Sequence, residues 1–317
     1  MFVLWLLLGL VLLVAGAELL VRGGGQLALS LRVPALVVGL TVVAFATSMP
    51  ELLVSVTAVS QRATTDLALA NINGSNLANI TLVLGLAAMV RPLTIERSLL
   101  RREIPTVLAL TAAIPLLCLD NELAAGDGVL LLFGGVAYNA WLLFDALRGR
   151  APAGLDDEIE GNPGVLRNAV LLAAALVALV LGARWFVTGA VGVAEALSLS
   201  DRFIGLTVVA LGTSAPEVAT GMVSAYRGET DLAVGNSLGS NLLNIAMVLG
   251  ITAIVKPIEL VEHDFAYTDM WLTVAVTSGL VVFVLKGSIR RVEGLVLATL
   301  YGAYLTAGYF GGHATIP

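Results

Sequence analysis

The chain has 317 residues, of which 58% are hydrophobic and 13% charged, with a mean hydropathy of +0.95. These values exclude a soluble globular domain and identify an integral membrane protein. The net charge of −6 comes without any basic stripe interleaved with aromatics, which argues against a nucleic-acid partner, and the single cysteine, Cys118, reads as a small apolar packing residue that can form no internal disulfide.

Ten apolar stretches of about 20 residues fall at about 2–22, 34–60, 66–90, 104–118, 128–147, 165–188, 203–226, 231–255, 270–285 and 293–310. Each is long enough to cross a hydrocarbon core of about 30 Å, so the expected fold is all-α with ten transmembrane helices. The first stretch is not read as a signal peptide, because no basic region precedes it and its equivalent recurs at mid-chain. The second carries "GLTVVAFATSMPE" at 39–51 and the third "NINGSNLANITLVLG" from Asn71. After the fifth comes "RGRAPAGLDDEIEGNPG", a polar linker rich in Gly, Pro and acid that reads as a solvated loop.

The stretches beyond the linker repeat those before it. "GLTVVALGTSAPE" at 205–217 matches the earlier phrase at ten of thirteen positions, "NSLGSNLLNIAMVLG" from Asn236 matches the segment from Asn71, and "GARWFVTG" from Gly182 matches "GAELLVRG" from Gly16. "RPL" at 91 pairs with "KPI" at 256, Gly128 with Gly294, and Tyr138 with Tyr304. The expected organisation is a first five-helix repeat over 1–148 with its motif at 39–85, a linker over 149–164, and a second repeat over 165–317 with its motif at 205–250. Five spans is an odd number, so the second copy enters the membrane from the opposite side. Inverted repeats are the architecture of secondary transporters.

Loops assigned alternately to two sides leave Arg62, Arg184, Arg202 and Lys256 on one side and the other thirteen of the 17 basic residues opposite. The positive-inside rule then places both termini outside the cytoplasm, in a multi-pass protein of the cell membrane whose evident partner is the bilayer, with no obligatory protein partner.

Glu51 and Glu217 stand near the middle of spans, where an ionisable side chain costs about 2.5 to 3.5 kcal/mol even on the mild insertion scale. No Lys, Arg or His lies in the interior of the neighbouring spans, and His263 and His313 are placed in a loop and the tail. Protons or bound cations must compensate the two acids. Pro50 and Pro216 remove backbone donors and so release carbonyls around Ala44 to Thr47 and Ala210 to Thr213. With the hydroxyls of Thr47, Ser48, Thr213 and Ser214 these make an all-oxygen cage bearing two negative charges, which suits Ca²⁺ and Na⁺ rather than Zn²⁺ or copper. The alternative is a pair of proline kinks with hydroxyls bonded back to the helix. Ser75 and Asn79 share a helical face, as do Ser240 and Asn244, and their oxygens could complete the cage. Gly74 and Gly239 allow close backbone approach or a helix break.

"TSMPE…NGSNLANI" and "TSAPE…LGSNLLNI" together resemble the paired alpha repeats of the cation/calcium exchanger superfamily, in particular its sodium/calcium exchangers, and the resemblance covers nearly the whole chain. It implies a ten-helix antiporter, without cofactor, that transports Ca²⁺ and Na⁺. Glu51, Glu217, Thr47 and Thr213 would then hold Ca²⁺. Na⁺ would share them and use Ser48, Ser75, Ser214, Ser240 and the carbonyls of Ala44 and Ala210, with Asn79 and Asn244 as further pore ligands. The potassium-dependent exchangers carry an aspartate at the position of Asn244; the amide here implies exchange that is independent of K⁺ and electrogenic. The large cytoplasmic insert of animal members has no counterpart in the linker.

Three other readings share these residues. An H⁺/Ca²⁺ antiporter of the same fold would use the glutamates as proton carriers, a cation channel would need no counter-ion, and an intramembrane hydrolase would need an acid or base beside the ion, for which no His or Asp is placed. Glu18 and its repeat counterpart Arg184 read as helix-end charges or a gating pair. Glu259, Glu262, Asp264 and Asp269 read as a solvated outer loop or a cation-attracting mouth.

Overall fold

A backbone surrounded by hydrocarbon has no water to bond, and an α-helix meets that requirement within one segment. The computed structural model of the chain describes residues 1–60, 66–148, 165–197, 210–260 and 263–311, and these are predominantly helical with four two-residue strands. The first half begins with α1 (Phe2–Leu31) and continues through α2 (Ala35–Thr47) and α3 (Met49–Ser60), which meet at a bend of 42°. Next is α4, which runs from Asp66–Ala78 through a π-helical turn, Asn79–Val83, into Leu84–Val90. Strand β1 (Leu93–Thr94), α5 (Glu103–Leu117), β2 (Glu122–Leu123) and α6 (Ala125–Arg148) complete this half.

The second half repeats the series. It comprises α7 (Val165–Ala196), α8 (Ala210–Thr213), α9 (Ala215–Arg227) and α10, which passes from Thr230–Leu243 through a π-helical turn, Asn244–Leu249, into Gly250–Val255. Then follow β3 (Ile258–Glu259), α11 (His263–Lys286), β4 (Ser288–Ile289) and α12 (Arg291–Gly311). His263 therefore opens a helix, where the sequence reading placed it in a loop. His313 lies outside the described residues.

Among the described residues, seven helices are long and apolar enough to cross a membrane, and the bent pair α2–α3 makes eight. Helices α9 and α12 stand where the sequence placed the two remaining spans; the residues just before α8 lie outside the described set. Burial separates centre from rim: 78% of the apolar windows of α4 and α10 is buried, against 28%, 17% and 22% for α1, α6 and α7. The rim helices α1 and α7 lie along each other through glycines. A Cβ on Gly9 would fall 2.3 Å from the Phe186 nitrogen, and one on Gly189 would fall 2.2 Å from that of Leu6, the small-residue packing typical of helices in lipid.

The halves are stitched together in a crossed pattern. Strand β1 pairs antiparallel with β4, Leu93 opposite Ile289, and β2 pairs antiparallel with β3, Leu123 opposite Ile258. Below these pairs, Gly85 of α4 meets Gly294 of α12, and Gly250 of α10 meets Gly128 of α6, so closely that a Cβ on Gly294 would lie 2.5 Å from the Gly85 oxygen. Gly294→Ala should therefore lower the thermal unfolding temperature of the purified protein by several degrees, an overpacking cost of about 1 to 3 kcal/mol. Gly302→Ala in the same helix, with no atom within 4 Å of the added carbon, should leave it unchanged or raised; equal behaviour of the two variants would refute this close packing.

Candidate functional site

Each half interrupts a helix at the same sequence. After Thr47 the backbone leaves helical geometry at Ser48 (φ −81°, ψ 2°), and after Thr213 it does so at Ser214 (φ −84°, ψ 5°). Helices α3 and α9 restart immediately, with Pro50 and Pro216 in their first turns where a missing N–H costs nothing. Glu51 and Glu217 occupy those same first turns. A helix N-terminus favours negative charge by up to about 2 kcal/mol when partly buried. Both glutamates have no exposed surface, and Glu217 lies close enough to Glu51 to feel its charge.

Hydroxyls and amides from the central helices surround the two acids, and the contacts cross between halves. The Thr47 hydroxyl at the end of α2 lies 3.1 Å from Asn236 Oδ1 and 3.2 Å from Ser240 Oγ, both on α10. In mirrored fashion, Thr213 at the end of α8 donates to Asn71 Oδ1 of α4 at 3.4 Å. Ser214 donates to Ser75 at 3.2 Å, and Ser75 donates in turn to Glu51 Oε1 at 3.5 Å. Two asparagine pairs then tie α4 to α10: Asn79 Nδ2 donates to Asn241 Oδ1 at 3.0 Å, and Asn244 Nδ2 to Asn76 Oδ1 at 3.1 Å. Asn241 Nδ2 also donates to the Asn76 carbonyl at 3.1 Å, and Ser237 Oγ to that of Asn79 at 2.6 Å.

The π-helical turns of α4 and α10 begin at the asparagines of these pairs, Asn79 and Asn244, and a third π-helical turn lies at Gly39–Val43 within α2. Such turns are frequent at functional sites because the extra residue re-aims side chains within a helix. With each amide nitrogen spent on the opposite half, the oxygens of Asn79 and Asn244 have no hydrogen-bond partner among the described residues. The same holds for Ser48 Oγ, Glu51 Oε2 and both carboxylate oxygens of Glu217. Thr220 and Ser224, one and two turns beyond Glu217, are likewise buried with unbonded hydroxyls. Buried polar atoms left unbonded are costly and rare in native proteins. Here they are hard oxygens gathered around two carboxylates, a donor set that fits hard cations such as Ca²⁺ or Na⁺.

Thr47, Ser48, Glu51, Ser75, Asn79, Thr213, Ser214, Glu217, Ser240 and Asn244 are all buried, and hydrogen bonds join Thr47 to Ser240, Ser214 through Ser75 to Glu51, and Asn79 and Asn244 each to the opposite half. The Ala44 carbonyl accepts the Ser48 N–H at 3.0 Å and so stays within the helical ladder. Of the second repeat's equivalents, Ala210 opens α8, and the stretch before it lies outside the described residues. Gly239 packs on the backbone of Leu40, where a Cβ would come within 2.4 Å of the carbonyl oxygen. A Cβ on Gly74 would meet no described atom within 4 Å, so no close approach is seen there among the described residues. The sequence reading missed Asn71, Asn76, Asn236, Asn241 and Ser237. Four of them recur in both motifs at matching spacing, which was the available signal. Among the peripheral acids, Glu18 pairs with Arg22 and Arg227, not with Arg184. Asp269 sits within α11 and accepts the Tyr304 hydroxyl at 3.1 Å, so it is not a loop residue.

The profile of the family described as "Sodium/calcium exchanger protein" matches residues 1–144 and 167–310. Inner membrane protein YrbG of Escherichia coli strain K12 is 38% identical, over 80% of each chain. Sodium/calcium exchanger MaX1 of Methanosarcina acetivorans is 31% identical, over 96% of this chain and 97% of its own. Among solved structures, the sodium-calcium exchanger NCX_Mj soaked with zero Na⁺ and Ca²⁺ superposes with a TM-score of 0.83 at 30% identity, covering 96% of this chain and 98% of that one. The chain belongs to the sodium/calcium exchanger family, a family of membrane transporters.

The asparagine cross-links carry a test of their own. Asn241→Leu removes the acceptor of Asn79 and the donor to the Asn76 carbonyl together, so it should destabilise the protein by about 1 to 3 kcal/mol. Asn76→Leu, its counterpart, should do the same to Asn244. Both losses should appear as lower unfolding temperatures in detergent; wild-type values in both variants would show that the amide pairs do not hold the centre together.

Proposed function

We propose that this protein is a secondary antiporter that exchanges Na⁺ for Ca²⁺ by alternating access. The observation that carries the reading is the set of buried, unbonded oxygens of Glu51, Glu217, Ser48, Asn79 and Asn244 around two mutually repelling carboxylates. In the proposed cycle Glu51 and Glu217, with Thr47 and Thr213, hold Ca²⁺. Na⁺ shares those glutamates and hydroxyls and uses Ser48, Ser75, Ser214, Ser240 and the carbonyls of Ala44 and Ala210. Asn79 and Asn244 contribute their side-chain oxygens. Because both cations need the same two negative charges, binding of one opposes binding of the other, and that competition is the basis of exchange. The names of MaX1 and NCX_Mj as sodium/calcium exchangers support the choice of ions. An H⁺-coupled cycle on the same acids is the alternative, but the paired hydroxyls favour Na⁺, since protons need no such cage.

The proposed architecture is ten spans in two inverted repeats, with α1 and α7 moving against a core that bears the ions. The crossed strand pairs support inversion. Strand β1 follows α4 in the first half, whereas its partner β4 lies between α11 and α12 in the second. These are non-equivalent loops of the two repeats, and they meet on one side only when the repeats run in opposite senses. The count of basic residues supports an orientation with both termini outside the cytoplasm, in a cell membrane like that of the inner-membrane relative in Escherichia coli.

Ca²⁺ uptake into Na⁺-loaded proteoliposomes, repeated with a pH gradient in place of the Na⁺ gradient, tests the reading; uptake driven only by the pH gradient would replace it with the H⁺-coupled cycle. Glu51→Gln and Glu217→Gln should each reduce Na⁺-driven flux about a hundredfold or more while the protein stays folded, since each removes half the charge opposing a divalent ion. Near-normal flux in either variant would remove that glutamate from the site. The second expectation concerns K⁺. Asn244 donates its amide proton to Asn76, a bond an aspartate could not make, and it adds no charge to the site. Replacing K⁺ with choline at fixed Na⁺ gradient and clamped voltage should leave the initial Ca²⁺ flux within about twofold, with net positive charge moving in the direction of Na⁺; a requirement for K⁺ would refute this.

A further inference from the structure

A cavity of about 600 Å³ lies between α1, α7, α9 and the end of α4. Its walls are apolar, with Leu13 and Val14 from α1, Phe186 from α7, and Val218, Ala219 and Met222 from α9. Leu10, Val14 and Met222 of the lining are exposed, so the cavity is open and not sealed within the bundle. Glu217 is on the same helix but does not line it. The size falls within the range of small-molecule sites.

One end of this cavity is charged. Glu18 is the sole acidic or basic residue in the lining among the described residues. Arg22, one helical turn further along α1, places its Nη2 2.7 Å from Glu18 Oε1, and Arg227 donates Nε to Oε2 at 2.6 Å. Arg91 follows Val90 of the lining, and its Nη1 lies 2.6 Å from where a Cβ on Gly228 would stand, so it reaches the Arg227 end of α9. Three guanidiniums thus gather near Glu18 at this end, where Glu229 also follows Gly228, and guanidinium forks suit phosphate oxygens. A hydrocarbon chain gains little by moving from bilayer to an equally apolar cavity, so selection at such a site falls to the headgroup. Basic pockets between transmembrane helices select anionic lipids in this way.

We propose that this cavity binds one anionic phospholipid, its acyl chain against α1 and α9 and its phosphate on Arg22, Arg91 and Arg227. The chain occupies space between a rim helix and the helix that carries Glu217, so bound lipid opposes any approach of α1 to α9. The assignment is independent of which cations the protein exchanges.

The test is native mass spectrometry of the purified protein in detergent containing equal amounts of dioleoylphosphatidylglycerol and dioleoylphosphatidylcholine. The wild type should retain one phosphatidylglycerol in preference to phosphatidylcholine by about tenfold or more. The triple variant R22Q/R91Q/R227Q should bring the two lipids to parity. Glu18→Gln removes the competing carboxylate and keeps the guanidiniums, so it should increase phosphatidylglycerol retention; a purely structural ion pair would give no such increase. Ala219→Trp should expel the lipid by filling the cavity while the arginines remain. Equal retention of both lipids by the wild type, or a preference that survives in both the triple variant and Ala219→Trp, would overturn the proposal.

Discussion

Two carboxylates buried in a low-dielectric interior without an ion-pair partner among the described residues set the terms for the rest of this protein. Insertion of each costs about 3 kcal/mol on the mild scale, and their mutual repulsion adds to that cost. A helix N-terminus offsets at most about 2 kcal/mol. The breaks at Ser48 and Ser214 can be understood as placing that offset where it is needed, with each glutamate in the first turn of a restarted helix. The remainder calls for a positive charge that comes and goes. The unbonded oxygens around the acids are arranged for such a guest, because a site fully satisfied by its own hydrogen bonds would have no reason to admit one.

Holding these oxygens in place requires the two halves to brace each other. Thr47 leans on α10 and Thr213 on α4, while Asn79 and Asn244 each give their amide protons to the opposite half. Each bond occurs twice, with equivalent residues in exchanged roles, as do the glycine contacts and strand pairs at the periphery. Gene duplication accounts for the economy of this design: one successful contact, once duplicated, supplies its counterpart. It also makes the centre the most buried part of the molecule and leaves α1 and α7, joined mainly to each other, at the rim.

How much of this could be read from the sequence depended on whether a signal was local or long-range. The repeated phrases announced the glutamates, their hydroxyl neighbours and the breaks, because a proline and an acid set side by side in an apolar run interrupt the helical ladder and require a counter-charge at the same point. Ser75 and Asn79 were legible as one face of a helix. Asn76 and Asn241 were not, since their angular position points away from that face and their partners lie 168 and 162 residues along the chain. The π-helical turns escaped for a related reason: an extra residue in a helical turn leaves no compositional trace. Two-residue strands fall below any periodicity test. The gating-pair alternative set Glu18 against its repeat counterpart Arg184, whereas its neighbours come from the same helix and from the end of α9.

That departure from symmetry is informative in itself. In the proposed architecture, with two equivalent halves in opposite senses, a structure open to one side and its mirror open to the other would be nearly equal in energy. The Glu18 cluster exists in only one copy: the positions equivalent to Glu18, Arg22 and Arg227 hold Arg184, Thr188 and Gln61, which cannot reproduce it. An exposed ion pair contributes little, typically under about 1 kcal/mol, yet that is enough to tilt a nearly balanced equilibrium several-fold. Glu18 joins a rim helix to the helix bearing Glu217, so the bias acts on the relative position of rim and core. In the proposed cycle the duplicated residues build a site that treats both sides alike, and the diverged Glu18 cluster is a place where the two halves differ.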